Sequence, residues 1–175
     1  MRKTNADRIS GSPLMRACRT LAWVLCGCLL PLAAQAAGVR VQTLDGQRGS
    51  LAEFLSHDKW TVVMVWTTYC EVCRQQYPTI SAFHRQHRDK DAVVLGIALD
   101  GYDQDAKIKA YQATHAHSFP SVMASVDDFT DKYARATGEA FTGTPTYLLF
   151  NAKGDLRAFL DGPVTAAALE KFIAK

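Results

Sequence analysis

No internal repeat, low-complexity tract or Pro/Gly/Ser-rich linker interrupts residues 37–175. Their absence predicts a single domain, and a segment of that length suffices to bury a hydrophobic core. The composition, 48% apolar and 21% charged, also excludes a disordered, collagen-like or disulfide-dense chain.

The chain has little net charge of either sign once its N-terminus is set apart. Five of the 20 basic residues but only one of the 17 acidic residues lie among residues 1–36, so the remainder carries a formal charge of −1. No basic excess remains there to favour nucleic acid or an acidic membrane surface as a partner. Cys18, Cys26 and Cys28 also lie in the first segment, which leaves Cys70 and Cys73 for the domain.

Residues 1–36 are typical of a secretory signal peptide. A basic region precedes an apolar stretch from Leu21 to Ala34, and a small-x-small cleavage site ends at Ala36. The apolar stretch falls short of the ~20 residues of a membrane-spanning helix, so we expect cleavage after Ala36 and an exported domain at residues 37–175. Met15 is an alternative start. An uncleaved tether and lipidation of Cys28 are the alternative fates of this segment.

The order of predicted elements indicates an α/β sandwich. Continuous apolar runs at Thr61–Trp66 and Ala92–Leu99 are typical of strands buried on both faces. The remaining predicted elements are strands at Val39–Leu44, within Phe119–Val126, at Tyr147–Phe150 and at Leu156–Leu160, a helical turn at Leu51–Leu55, and helices at Cys70–His87, Asp103–Thr114, Asp128–Ala136 and around Leu169–Ile173. We therefore expect a mixed central sheet, parallel in its first half and antiparallel at its end, with helices on both faces.

Cys70-Glu71-Val72-Cys73 is the motif with the clearest chemistry. Two cysteines three apart at the first turn of a helix lie on one face, within reach of a disulfide. The unpaired N–H groups of a helix start favour the thiolate of Cys70, the form that attacks a disulfide, and Cys73 suits the resolving role. A structural bridge would stabilise so short a loop only weakly. A zinc site would need two more ligands, and the sequence has no second CxxC, so we predict a redox-active pair without a metal or other cofactor.

A second motif, Gly143-Thr144-Pro145-Thr146, stands just before a predicted strand. Proline is expected there at the first residue of the strand, on an edge or in a cis turn. A cis bond would aim the backbone of Thr144 outward. Alone, this motif predicts a turn and nothing more.

Together the motifs resemble the thioredoxin-like superfamily, in particular the branch of exported thiol-disulfide oxidoreductases represented by TlpA, ResA and the cytochrome c maturation thioredoxins. The resemblance is carried by the strand Val62–Trp66, the CxxC turn with Pro78 behind it, Phe119-Pro120, and the segment from Gly143 to Phe150. It implies that Cys70 attacks, that Cys73 resolves, that Pro145 is a cis proline packed against the disulfide, and that Thr144 offers its backbone to an extended substrate.

The same resemblance implies a thioredoxin-like sandwich and a periplasmic enzyme that reduces disulfides in exported proteins, for example in cytochrome c or cytochrome oxidase maturation. It also implies recharging by a membrane thiol reductant of the DsbD or CcdA type. No cofactor beyond the Cys70–Cys73 disulfide is expected.

Two positions depart from that pattern. Gln76 stands where ResA-like members carry a glutamate, and Met64 stands where thioredoxins usually place an acid. Because neither side chain accepts a proton, we expect proton transfer from elsewhere, such as Glu71 or water. Glu71 also opposes the helix dipole beside Cys70 and so predicts a reductant, nearer ~ −270 mV than ~ −120 mV. The alternative is a solvated charge with little effect.

Two other functions stay open. Thr67 and Cys70 supply the T-x-x-C of a peroxiredoxin, although Val63 stands where that family places a proline. A copper-delivery module similar to the Sco chaperones would use a C-x-x-x-C motif with a distal histidine, for which His115 or His117 could serve. Otherwise we expect both histidines to be surface residues.

Overall fold

The computed structural model describes residues 36–115 and 117–174. The predicted signal peptide, with Met15 and Cys28, lies outside the described residues except for Ala36. Within them, no helix is both long and apolar enough to cross a membrane.

Seven strands form one mixed sheet. They are β1 Arg40–Thr43, β2 Arg48–Ser50, β3 Trp60–Trp66, β4 Ala92–Ala98, β5 Ser121–Met123, β6 Thr146–Phe150 and β7 Leu156–Asp161. Their spatial order is β2-β1-β5-β4-β3-β6-β7. β3, β4 and β5 are parallel neighbours, whereas β6 and β7 on one side, and β1 and β2 on the other, pair antiparallel.

The described helices are α1 Glu71–His87, α2 Asp105–Thr114, α3 Val126–Thr137 and α4 Ala166–Ile173, with a short 3-10 helix at Leu51–Phe54. Helices α1, α3 and α4 begin at residues whose side chains accept hydrogen bonds from the first turn. Cys70, Ser125 and Thr165 cap α1, α3 and α4 respectively, each accepting from a backbone N–H three residues on. Such caps satisfy N–H groups that the helix itself leaves unpaired.

β3 is buried on both faces, as its continuous apolar run predicts. Val63 and Val65 belong to a core that packs against α3. Met64 and Trp66 point to the opposite face and belong to a second core, which packs against α1 and α4. Helices therefore cover both faces of the sheet, and the predicted α/β sandwich is confirmed.

Gly96 on β4 gives Trp66 room to lie against the sheet. A Cβ at this position would come within 2.8 Å of the indole Nε1 and would collide with Ser121 Oγ. Only glycine avoids both contacts. The packing fixes Trp66, the last residue of β3, below the loop that leads to Cys70.

The structure departs from the sequence-based prediction mainly at the N-terminal edge. The hairpin of β1 and β2 adds antiparallel strands there, so the sheet is not simply parallel in its first half. β2 is a polar three-residue strand and carries no apolar alternation that would predict it. Helix α3 begins at Val126, two residues before the predicted start, because Ser125 caps it.

Candidate active site

The redox pair sits where β3 ends and α1 begins. Cys70 and Cys73 form a disulfide. The Cys73 backbone N–H donates to Cys70 Sγ over 3.1 Å, so the first sulfur receives a hydrogen bond from the helix terminus. Cys73 is fully buried, whereas Cys70 is half-buried. The N–H donor and the positive helix end both favour a thiolate at Cys70 in the reduced protein.

The Gly143–Thr146 segment lies beside this disulfide. The Thr144–Pro145 peptide bond is cis, as predicted, and Gly143 adopts a φ of 145°. Cys70 Sγ lies 3.4 Å from the carbonyl oxygen of Thr144. The Thr146 hydroxyl donates to the Gly143 carbonyl over 2.7 Å and to Asp161 over 3.2 Å, which fixes the turn against β7. The backbone of Thr144 is thus held next to the sulfur.

Asp100 is a buried carboxylate that the sequence reasoning missed. Its side chain is only 1% exposed, at the carboxyl end of β4. It accepts hydrogen bonds from the Thr68 N–H, over 3.0 Å, and from the Thr68 hydroxyl, and Lys107 Nζ lies 3.5 Å away. Because β3 and β4 are parallel neighbours, their carboxyl ends share one sheet edge, and Asp100 thereby anchors the loop before Cys70. An acid directly after a buried strand was the available signal.

A groove of about 320 Å³ opens on the exposed side of Cys70, and we call it the Cys70 groove. It is lined by Thr68, Tyr69, Cys70, Glu71, Arg74, Tyr111 and His115. Tyr69 and Val72 beside it are exposed apolar side chains, at 76% and 41%. The charged side chains of Glu71 and Arg74 therefore lie on the solvent side of the disulfide.

Glu71 is exposed and already paired. Arg74 Nε and Nη2 donate to its two carboxylate oxygens over 2.9 and 2.5 Å, and Gln75 Nε2 adds a contact of 3.3 Å. The hydrogen bond from Arg74 is the main cause that lowers the pKa of Glu71. The positive guanidinium of Arg74 offsets the negative charge of Glu71. This pairing favours the interpretation that Glu71 has little effect on Cys70.

Gln76 and Met64 lie on the buried side of the pair. Gln76 Oε1 accepts from the Tyr147 hydroxyl over 3.1 Å and from the Val164 N–H over 2.8 Å. It therefore ties α1 to β6 and to the segment before α4. Met64 is fully buried opposite Tyr147 in the β3–β6 register. Burial raises the pKa of Tyr147, which keeps this phenol neutral.

His117 contradicts the expectation of a surface histidine. Its ring packs against Trp66, Tyr77 and Phe119, with centroids 4.8, 4.8 and 3.9 Å away. Its Nε2 lies 3.1 Å from the Ser121 hydroxyl. Burial lowers the pKa of His117 to about 3, so the imidazole is neutral in the fold. His115, in contrast, is half-exposed at the Cys70 groove.

No group of three or more His, Cys, Asp or Glu side chains with the geometry of a metal site occurs in the part of the chain that the structure describes. The groups that it brings to the disulfide are instead those of thiol exchange: a capped sulfur, a buried second sulfur and an outward-facing backbone segment.

Residues 32–159 match the AhpC/TSA family. The chain belongs to this family. Among its curated relatives, the thioredoxin-like protein YneN of Bacillus subtilis is 24% identical over 137 residues, which cover 78% of this chain and 75% of YneN. The sporulation thiol-disulfide oxidoreductase A of the same organism is 23% identical over 133 residues, 75% of each chain.

Solved structures show the same fold. A secreted disulfide oxidoreductase of Mycobacterium tuberculosis superimposes with a TM-score of 0.60 at 19% identity, over 81% of this chain and 98% of that one. The predicted thioredoxin-like fold is confirmed. With its relatives and its CxxC disulfide, this AhpC/TSA family member is a thiol-disulfide oxidoreductase.

Proposed function

We propose that the protein reduces disulfides in exported partner proteins, with Cys70 as the attacking thiol and Cys73 as the resolving thiol. The observation that carries this assignment is the difference between the two sulfurs. Cys70 lines the groove and accepts an N–H from the helix start, whereas Cys73 is fully buried. An incoming disulfide can reach only the first sulfur.

The reaction then runs in two exchanges. The Cys70 thiolate attacks one partner sulfur, forming a mixed disulfide and breaking the partner's S–S bond. Cys73 next attacks Cys70 Sγ, which restores the disulfide seen in the structure and releases the second partner sulfur. The partner gains two electrons and two protons, and Cys70 and Cys73 lose them.

Thr144 and Pro145 are the substrate-binding residues in this proposal. The Thr144 carbonyl lies beside Cys70 Sγ, and the turn is fixed by the hydrogen bonds of Thr146. An extended chain that pairs with this backbone would bring its own disulfide to the sulfur. Recognition through the backbone is compatible with partners of different sequence.

Export is supported by the signal-like pattern of residues 1–36 and by the secreted relative. A periplasmic position would match partners such as apocytochrome c or a cytochrome oxidase copper site, and a membrane thiol reductant of the DsbD or CcdA type. Mass spectrometry of the mature N-terminus tests this part: cleavage after Ala36 supports export in released form, and an acyl group on Cys28 supports a lipid anchor.

Trapping tests the central assignment. A Cys73→Ser variant should hold partners on Cys70 as mixed disulfides, which can be identified after non-reducing electrophoresis. The matched Cys70→Ser variant should hold none. Absence of adducts from Cys73→Ser, together with a wild type that does not reduce insulin, would contradict the proposal.

Two further assays separate the remaining alternatives. Equilibration with a glutathione buffer measures the reduction potential of the Cys70–Cys73 pair and so shows whether the protein reduces or oxidises its partners. A potential near that of strong oxidants contradicts the reductant proposal. Peroxide consumption that vanishes in Cys70→Ser would instead indicate a peroxidase. Tight copper binding by the reduced protein without insulin reduction would indicate copper delivery.

A further inference from the structure

Disulfide reduction leaves a displaced sulfur that needs a proton. Met64 and Gln76 stand where related families carry acids, and neither side chain can supply that proton. On the buried side stand Met64 and the neutral amide of Gln76. The buried carboxylate of Asp100 is engaged by Thr68 and Lys107. Glu71, on the groove side, is held by Arg74 and Gln75. The groove also contains the imidazole of His115, the type of side chain that serves most often as a general acid or base.

The ring of His115 is oriented by its neighbours. Nδ1 lies 2.9 Å from the Tyr111 carbonyl oxygen, which can only accept, so Nδ1 carries the hydrogen. The Thr114 hydroxyl lies 2.9 Å from the same nitrogen. The imidazole also stacks on the Tyr111 ring at 3.9 Å between centroids. These contacts leave Nε2 as the nitrogen that exchanges a proton.

His115 shares the groove with Cys70 and faces the first turn of α1. The charged and titratable groups around it are Glu71 and Arg74 from α1, Tyr69 from the preceding loop, and Tyr111 from α2. The imidazole lies near enough to Glu71 to contribute to the lowered pKa of that carboxylate, after the larger contribution of Arg74. A partner sulfur displaced by Cys70 into this groove therefore lies on the His115 side of the disulfide.

We propose that His115 is a catalytic residue that protonates the sulfur displaced from the partner; this rests on the proposed reductase function. Cys70 thiolate forms the new S–S bond, the partner's S–S bond breaks, and the leaving thiolate takes the proton of imidazolium Nε2, directly or through one water. The neutral imidazole is then re-protonated from solvent, which received the proton of the Cys70 thiol.

The test compares two uncharged disulfides that differ in their need for a proton. Hydroxyethyl disulfide leaves as a basic alkyl thiolate, whereas dipyridyl disulfide leaves as a ring-stabilised thione that needs no proton on sulfur. With the reduced protein, we expect His115→Gln to slow the reaction of hydroxyethyl disulfide by roughly 10-fold or more, in the range of general acid catalysis. The reaction of dipyridyl disulfide should stay within about twofold of the wild type because its leaving sulfur is stabilised as a thione and needs no general acid.

The exposed His57, outside the groove, provides the matched control: His57→Gln should leave both rates unchanged. If His115→Gln folds poorly, His115→Ala with added imidazole replaces it, and imidazole should restore only the alkyl rate. Equal slowing of both disulfides, or no slowing of either, overturns the role of His115. A wild type that reduces neither disulfide contradicts the reductase function itself.

Discussion

The two cysteines stand three positions apart, yet their surroundings have little in common. Cys73 faces the buried side, where Met64, Tyr77 and Tyr147 are fully buried in the same core. Cys70 faces the groove, where Glu71, Arg74 and His115 line the surface. These three neighbours of Cys73 are uncharged, whereas Glu71 and Arg74 place charges in the groove. The difference teaches that a partner has access only to the Cys70 side of the described disulfide, which is also where we propose that the proton is transferred.

The largest expected effect comes from placing an acid on the buried side. Met64→Asp would bury a carboxyl without a partner, raising its pKa by several units and costing roughly 4–7 kcal/mol of unfolding free energy at pH 7. The folded pKa would exceed the unfolded one, so the loss should begin near pH ~4 and grow as the pH rises. Urea unfolding across pH measures it. The control Met64→Leu keeps the side-chain volume and should lower the unfolding free energy by less than ~1.5 kcal/mol. Equal losses in Met64→Asp and Met64→Leu would contradict the view that the buried side excludes charge.

His117, whose ring packs among aromatic side chains, should give the next largest effect. The pKa of His117 is lowered to about 3, against ~6.5 in the unfolded chain. Below pH ~6.5 the unfolded chain binds a proton that the fold excludes, so the unfolding free energy should fall between pH ~6.5 and 3, by at most about 5 kcal/mol. Urea unfolding of wild type and His117→Phe should diverge in this window. Parallel pH profiles would show that the imidazole is not desolvated.

Gln76 tests the neutral hydrogen bonds of the buried side. Gln76→Ala leaves the Tyr147 hydroxyl and the Val164 N–H without their acceptor, which should cost about 1–3 kcal/mol. Gln76→Glu keeps an acceptor oxygen and should cost less. Urea midpoints of both variants measure the difference, and an equal loss in the two would show that the contacts of Oε1 do not matter.

Glu71 should give the smallest effect because Arg74 already engages it. Glu71→Gln should change the equilibrium constant with glutathione by less than about threefold. Arg74→Gln, which removes the guanidinium from the carboxylate, should shift that constant toward the disulfide form. A shift of more than tenfold in Glu71→Gln would restore the view that this carboxylate sets the potential.

The parts of the fold that the sequence predicted are those with local signals. β3 and β4 are continuous apolar runs, and the CxxC motif lies at the start of α1 because Cys70 can cap a helix. β1 lies within the predicted strand Val39–Leu44. β2 escaped prediction because it is short and polar, and its pairing with β1 stabilises it where the sequence has no strand pattern.

The site was predictable in its sulfur chemistry and not in its surroundings. Asp100 reaches Thr68 across 32 positions of the chain, and Gln76 reaches Val164 across 88. His115 and His117 are two residues apart, yet one borders the groove and the other packs among aromatic rings. Nothing in their spacing distinguishes them, since the packing of α2 against Trp66 and Tyr77 decides which ring is buried.

The sequence by itself determined that two cysteines three residues apart stand at a helix start, because motif spacing and capping are local properties of the chain. Only the tertiary structure decided that Cys73 is buried, that Thr144 lies against Cys70, and that His115 borders the same groove. These relations depend on which strands become neighbours and which ends meet at one sheet edge. They arise from packing between segments that are distant in the sequence. This packing leaves Cys70 partly exposed and buries Cys73, which the CxxC motif alone does not specify.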